Sequence, residues 1–252
     1  MGSSEPSGAM QKTIRSWLSG IEGRLHEAGD PGRALSEKAY LKSDLTFIGT
    51  GVPFIRATAK AFRREFPRLD HGDLVEVVHE LWEPPVHELR SLGIAILEAC
   101  RDRLVPDDLV LVEDLLRECN TWAHVDWLAV KVAGDLVERH PEPSPFLDRW
   151  AIDPWMWLRR SALLALLEPL RAGQGDFEAF SRLAAGMLTE RDFFIRKAIG
   201  WILRDISRKR PELTYRFLNE HVATVSGLTL REGSRHLPER ERSELLAGYS
   251  SR

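Results

Sequence analysis

At 252 residues, 43 % of them hydrophobic and 29 % charged, the chain can bury a large core and is too apolar to stay disordered. It has no apolar run near the ~18 residues that a membrane-spanning helix needs, and a formal net charge of −3 excludes a simple polycationic binder. Its two cysteines, Cys100 and Cys119, supply neither a zinc pattern nor a disulfide framework, so a soluble protein of a reducing, cytoplasmic compartment is expected.

The opening MGSSEPSGAM lacks the basic flank and apolar core of a secretory signal, and Pro6 stands where a myristoylation signal takes Ser or Thr. Residues 1–10 therefore read as a disordered tail, 11–247 as a single domain and 248–252 as a C-terminal tail. Ile14, Trp17, Leu18, Ile21 and Leu25 recur at helical spacing and give a first helix its apolar face, ended by Gly29-Asp30-Pro31-Gly32. Ser36 is read as the cap of a short helix through Leu41. After the break LTFIGTGVP, Pro53 starts a helix that turns Val52, Ile55, Ala59, Phe62 and Phe66 inward. Helical segments follow at 71–83, 86–103, 107–118, 122–139, 143–151, 155–171, 176–188, 192–209, 211–221 and 226–236. Pro84-Pro85, Pro106, Pro141, Pro143, Pro154, Gly173 to Gly175 and Pro211 punctuate them. No strand-like alternation lies between.

The longer helix of each pair begins near Pro53, Pro85, Trp122, Trp155, Asp192 and Ser226, a repeat of roughly 32–38 residues, which is the period of paired-helix solenoids. The expected fold is all-α: a HEAT-like helical-repeat solenoid, an α-α superhelix whose second helices line a concave face. Charge is unevenly spread along it. From Asp70 to Glu118 there are 13 acidic and 4 basic residues, against 7 acidic and 11 basic from Asp153 to Arg210. The second stretch is thus a candidate polyanion-facing surface, and Arg101 and Arg103 fall in the acidic one. On the groove-lining helices lie Arg56 and Lys60, Arg90, Lys131, Arg159 and Arg160, and Arg196, Lys197 and Arg204. A cation recurs in each repeat, as following a phosphate backbone requires.

The central stretch NTWAHVDWLAVKVAGDLVERH, Asn120 to His140, sets Trp122 and Asp126 four residues apart on one helical face. Val125, Leu128, Ala129, Val132, Ala133 and Leu136 form its apolar seam. Asp126 borders that seam, where a carboxylate is costly to bury without a partner. An ion pair near the helix start with Trp122 in the core would explain it; so would a site.

TWAHVD, WLRRSAL and FFIRKAIGWILRD, preceded by AYLKSDLTFIGTGVPFIR, resemble the DNA alkylation repair family of HEAT-like-repeat DNA glycosylases over about Tyr40 to Arg208. The resemblance implies hydrolysis of the N-glycosidic bond of cationic N3- or N7-alkylated purines in duplex DNA, with no flipping of the base into a deep pocket. It also implies a nucleoid-associated monomer needing no cofactor and no metal. Position by position, Asp126 falls on the family's catalytic carboxylate, and Trp122 and Trp201 on the tryptophans that cradle the lesion's deoxyribose. Arg160 falls on the active-site arginine and Tyr40 on an aromatic of the same cleft; Arg159, Lys197 and Arg204 are expected to meet DNA. Two roles stay open for Arg160, a phosphate contact or support of the Asp126 charge. Thr121 replaces an aromatic common in the family and is followed, after Trp122, by Ala123, which leaves the substrate range open between methyl lesions and bulky adducts.

The chemistry suits a sparse site. An alkylated purine already carries positive charge and leaves as a neutral base, so no general acid has to protonate it. One carboxylate beside C1′ stabilises the oxocarbenium-like transition state and orients water. Replacement of Asp126 by Asn is expected to slow base release by a large factor and leave folding nearly intact. His79, Glu83 and His87 do not make a metal site in this reading, because Pro84 and Pro85 break the helix that would align them. The competing reading is a DNA-binding or scaffold protein of the same fold without chemistry.

Overall fold

The computed structural model describes residues 7–140 and 144–251, and among them the fold is all-α. A lone parallel bridge, Thr46 with Val86, is the one strand-like pairing of these residues. The helices are α1 Ser7–Glu27, α2 Pro31–Leu41, α3 Val52–Glu65, α4 His71–Trp82, α5 His87–Ala99, α6 Asp108–Arg117, α7 Trp122–Trp127, α8 Gly134–Arg139, α9 Ser144–Ala151, α10 Met156–Leu164, α11 Leu167–Arg171, α12 Phe177–Gly186, α13 Phe193–Ile206, α14 Pro211–Glu220, α15 Gly227–Gly233 and α16 Glu239–Ser250. The longer helices begin within two residues of the positions expected from the repeat, with Asp192 and Ser226 as N-caps of α13 and α15.

Several boundaries differ from the sequence reading, each for a physical reason. The cap of α2 is Asp30, not Ser36: its carboxylate accepts the Arg33 N–H at 2.6 Å and Pro31 takes the first turn, so the Gly-Asp-Pro-Gly stretch opens this helix as well as closing α1. Ser36 lies inside α2 and donates to the Arg33 carbonyl. Residues 7–10 belong to α1, while 1–6 lie outside the described residues, as do the breakers Pro141 and Pro143. The segment 155–171 is two helices, α10 and α11. The segment 122–139 contains a π-helical turn, Leu128–Ala133, between α7 and α8. The helix α16, which holds 248–250 of the expected tail, has Leu245 as its one buried residue and so leaves a weak apolar signature.

Within the span expected to form one domain, the described residues gather into two compact units: one up to Val105 with Cys119–His124, the other Pro106–Glu118 with everything from Val125. In the first, α3 and α4 pack on α5 around Ile55, Phe62, Leu74, Leu81, Leu92 and Ile94, and Trp17 meets Phe62 edge-on at 4.8 Å. The fully buried carboxylate of Glu88 fixes the α2–α3 connection by accepting the N–H groups of Ile48 (2.9 Å) and Gly49 (2.6 Å). Gly49 has φ +86°, and a Cβ there would lie 2.0 Å from the Asp30 carbonyl oxygen, so a glycine is required.

In the second unit the longer helices stack in succession: α10 on the π-helical turn, α13 on α10, α15 on α13. The seam Val125, Leu128, Ala129, Val132, Ala133 and Leu136 is fully buried. At Gly134 a Cβ would come within 2.8 Å of the Ala165 carbonyl oxygen, so a small residue lets the two backbones approach. The sequence period reappears as a ladder of ion pairs. Asp126 and Arg160, and Arg171 and Asp205, are 34 residues apart; Lys197 and Glu232 are 35, Arg117 and Asp153 are 36, and Lys131 and Glu168 are 37. Each pair ties one repeat to the next.

Candidate functional site

Asp126 lies on α7 one turn after Trp122 and just before the π-helical turn, a distortion that recurs at functional sites. Its two carboxylate oxygens each receive one guanidinium N–H from Arg160 on α10: Nε to Oδ1 at 2.7 Å and Nη2 to Oδ2 at 2.8 Å. The third guanidinium nitrogen, Nη1, donates to the Phe194 carbonyl. The Arg160 side chain is 4 % exposed and that of Asp126 16 %. Each guanidinium nitrogen of Arg160 thus has a partner within the protein and the side chain is almost wholly buried, so of the two roles left open for it the geometry favours support of Asp126 over a phosphate contact. Among the described residues Arg160 is the only hydrogen-bond partner of Asp126, whose carboxylate keeps unused acceptor capacity.

On α13, Trp201 is half-buried, and its indole N–H donates to Asp205 Oδ2 at 3.1 Å. The Arg171 guanidinium holds the same oxygen through Nε at 2.8 Å and stands 6.0 Å from the Trp201 ring centroid. Asp205 is the residue that sequence reasoning missed. The signal was present, since Trp201 and Asp205 repeat the four-residue spacing of Trp122 and Asp126.

The expected DNA contacts of this unit are engaged with carboxylates. Arg159 pairs with Glu190 (2.8 and 2.9 Å) and also donates to the Asp153 and Pro154 carbonyls; its hydrogen bond to Glu190 holds the guanidinium pKa above its usual value. Lys197 and Arg204 converge on Glu232, Lys197 at 2.8 Å. Burial pushes the Glu232 carboxyl up, but the Lys197 hydrogen bond and the Arg204 and Lys197 charges outweigh it and hold it below the ordinary range. These three cations remain only partly exposed, and their charge is offset one repeat away.

In the first unit, Tyr40 near the end of α2 is 72 % exposed and meets the Trp122 ring edge-on, at 5.9 Å between centroids and 87° between planes. Beneath the start of α7, His124 stacks on His87 at 4.5 Å, and His87 on Phe47 at 4.4 Å. His124 Nε2 lies 3.1 Å from Ser91 Oγ and 3.2 Å from the His87 carbonyl oxygen. Burial pushes the His87 pKa down to about 4; burial, and then the neighbouring His87 charge, push that of His124 well below its usual value. Among the described residues no three His, Cys, Asp or Glu side chains are grouped to hold a metal, and no helix is long and apolar enough to cross a membrane.

Residues 21–237 match the model of a family described as DNA alkylation repair enzyme. A solved structure described as a predicted DNA alkylation repair enzyme from Enterococcus faecalis is 25 % identical, with a TM-score of 0.76, covering 84 % of this chain and 97 % of its own. The crystal structure of AlkD2 from Streptococcus mutans, 16 % identical, covers 94 % of this chain and 97 % of its own with a TM-score of 0.58, a likeness of fold. No curated protein sequence matches the chain.

Proposed function

The chain belongs to the DNA alkylation repair enzyme family, and from that premise we propose that it is a DNA glycosylase acting on duplex DNA. Its substrates in this reading are cationic N3- or N7-alkylated purines, whose N-glycosidic bond it hydrolyses without deep extrusion of the base. The observation that carries the reading is the state of Asp126: a carboxylate held in one orientation by Arg160, with one donor per oxygen and a residual 16 % side-chain exposure. Such a group is preorganised to face charge that develops only in the transition state. As the bond to a cationic purine lengthens, positive charge moves to C1′ and O4′ of the sugar. The carboxylate stabilises that charge more than the ground state and orients the attacking water. Ordinary glycoside hydrolysis adds a second carboxyl to protonate the leaving oxygen; a base that leaves neutral dispenses with it.

Trp122, one turn ahead of Asp126, and Trp201, held by Asp205, are the aromatic faces this reading assigns to the deoxyribose, since an electron-rich indole attracts a sugar turning cationic. Tyr40 borders Trp122. The protein works as a monomer on duplex DNA, with no metal and no cofactor in the step.

One observation favours a second reading. The Asp126–Arg160 pair ties α7 to α10 as other pairs tie their repeats, and a purely structural pair would belong to a DNA-binding or scaffold protein without chemistry. Release of free base from duplexes carrying N7-methylguanine, N3-methyladenine or a bulky N3-adenine adduct decides between them. Release by the wild-type protein at a rate above spontaneous depurination is expected; binding of these duplexes with no release on any of them would leave the scaffold.

A further inference from the structure

We propose that α3 carries a phosphate-binding stripe, Arg56, Lys60, Arg63 and Arg64 completed by Arg101, that takes the phosphodiester backbone of duplex DNA and supplies more of the salt-dependent affinity than Arg159, Lys197 and Arg204. The proposal rests on the glycosylase reading only for the identity of the polyanion. The four α3 cations follow the spacing i, i+4, i+7, i+8, which places them along one side of the helix. The other side is fixed by the core: Ile55, Ala59 and Phe62 are 1 %, 1 % and 0 % exposed. Burying those three residues forces the cations outward.

The stripe lines a cavity of about 540 Å³ between α3 and the end of α5, with five cations and one carboxylate, Glu98, around it. The small residues Ala95 and Ala99 also line it. The Arg63 guanidinium is steadied by the Ala99 carbonyl at the α5 C-terminus and by Asp102. Of the ion pairs there, Arg56 with Glu98 at 3.3 Å and Arg63 with Asp102 at 2.8 Å have arginines 45 % and 43 % exposed, a setting in which an ion pair contributes little and yields readily to a phosphate. Among the described residues Lys60 and Arg64 form no ion pair. From Arg56 to Arg64 the helix advances roughly 12 Å, enough to meet more than one phosphate of a strand whose phosphates advance about 3.4 Å each along the axis. The lining offers no aromatic or large apolar anchor of the kind that dominates protein–protein interfaces. A polyanion, not a protein surface, matches it.

The test is a salt titration of binding to lesion-free duplex DNA by the wild-type chain and by the double variant Lys60→Gln/Arg64→Gln, two exposed changes that leave the core untouched. Expected are an unchanged melting temperature, at least tenfold weaker binding at low salt, and a slope of log affinity against log salt smaller by roughly 1.8, or ~0.9 for each phosphate no longer neutralised. Two results overturn the proposal: an unchanged slope, or equally weakened binding by the exposed pair Lys12→Gln/Arg15→Gln on α1, which would mean a general charge effect. Inorganic phosphate separates the sources. If the double variant loses affinity for phosphate ion yet binds duplex as the wild type does, the cavity takes a small anion and the DNA assignment falls. A wild-type protein that releases no base, but whose salt slope the double variant still flattens, defeats the glycosylase reading and leaves the stripe standing.

Discussion

Two aspartates of the second unit follow a tryptophan at the same distance and are held by an arginine at the same distance, yet they end in different states. Trp122 and Asp126 on α7 and Trp201 and Asp205 on α13 share the four-residue spacing, and Arg160 and Arg171 each lie 34 residues from their aspartate. Exposure hardly separates them, at 16 % for the Asp126 side chain and 11 % for Asp205. The donors do. Asp205 receives Arg171 and the Trp201 indole on Oδ2 and has Arg204 Nε 3.4 Å from Oδ1, whereas Asp126 receives one N–H on each oxygen from a single arginine. A carboxylate offers about four lone-pair sites. Asp205 uses nearly all of its capacity to hold other side chains in place; Asp126 keeps part of its own unused. The difference teaches that the spacing identifies a pair of residues, and the hydrogen-bond count separates a carboxylate with acceptor capacity to spare from one with little left.

The largest effect that bears on this contrast is expected from Asp126→Asn. If the carboxylate supplies ~3 kcal/mol of transition-state stabilisation, single-turnover base release falls roughly a hundredfold. The sequence alone suggested that the fold would be indifferent to this change, and the buried Arg160 corrects that expectation. An asparagine amide turns an N–H toward a guanidinium N–H, and breaking one side of a pair whose arginine is 4 % exposed costs up to roughly 3 kcal/mol of stability. The rate is therefore to be compared at a temperature where circular dichroism shows both proteins folded. Release at the wild-type rate by the folded variant, on a lesion that depurinates slowly, would falsify the assignment of Asp126.

A smaller, different loss is expected from Asp205→Asn. The indole N–H of Trp201 can still find the amide oxygen, but Arg171 and Arg204 lose their common charge, so Trp201 is less firmly placed. Misplacement of a positioning group predicts an intermediate fall in single-turnover release, roughly tenfold, with DNA affinity little changed. Asp205→Glu should recover part of it. A fall as deep as that of Asp126→Asn, or none at all with the fold intact, would erase the distinction between the two aspartates.

Much of the architecture was legible because prolines and caps mark helix starts whatever the tertiary context: Pro53, Pro211, Asp192 and Ser226 all stand at or beside observed N-termini. The π-helical turn was not, because the seam from Val125 to Leu136 has the same three-and-four spacing either way. Nor was the fate of the cations. Arg159, Lys197 and Arg204 read as a basic surface, but the carboxylates that engage them, Glu190 and Glu232, lie about one repeat further along, where only folding brings them close. The reverse error fell on Arg101. Counted with an acidic stretch, it in fact lines the basic cavity beside α3. Local spacing carries the helices; partners one period away carry the electrostatics.

The smallest effect on catalysis, and the one that bounds every pH experiment on the two aspartates, comes from the histidine stack of the first unit. Burial holds His87 at about 4 and pushes His124 well below its usual value, so both are neutral in the folded chain at neutral pH. The unfolded chain binds those protons near pH 6.5, so the folded state is fully favoured above that value. The advantage is lost as pH falls from about 6.5 toward 4. From His87 alone the loss at pH 5 is about 2 kcal/mol, with His124 acting in the same direction. The melting temperature should therefore drop between pH 7 and pH 5, above the range where Asp and Glu ordinarily titrate. Within the temperature range where the chain stays folded, single-turnover release should be nearly unchanged over the same interval. His87→Phe, which keeps a ring against Phe47 and removes one titrating group, should shrink the drop by about half or more. A melting temperature flat from pH 7 to pH 5 would mean that the folded and unfolded chains take up the same protons, so that burial does not hold the stack neutral.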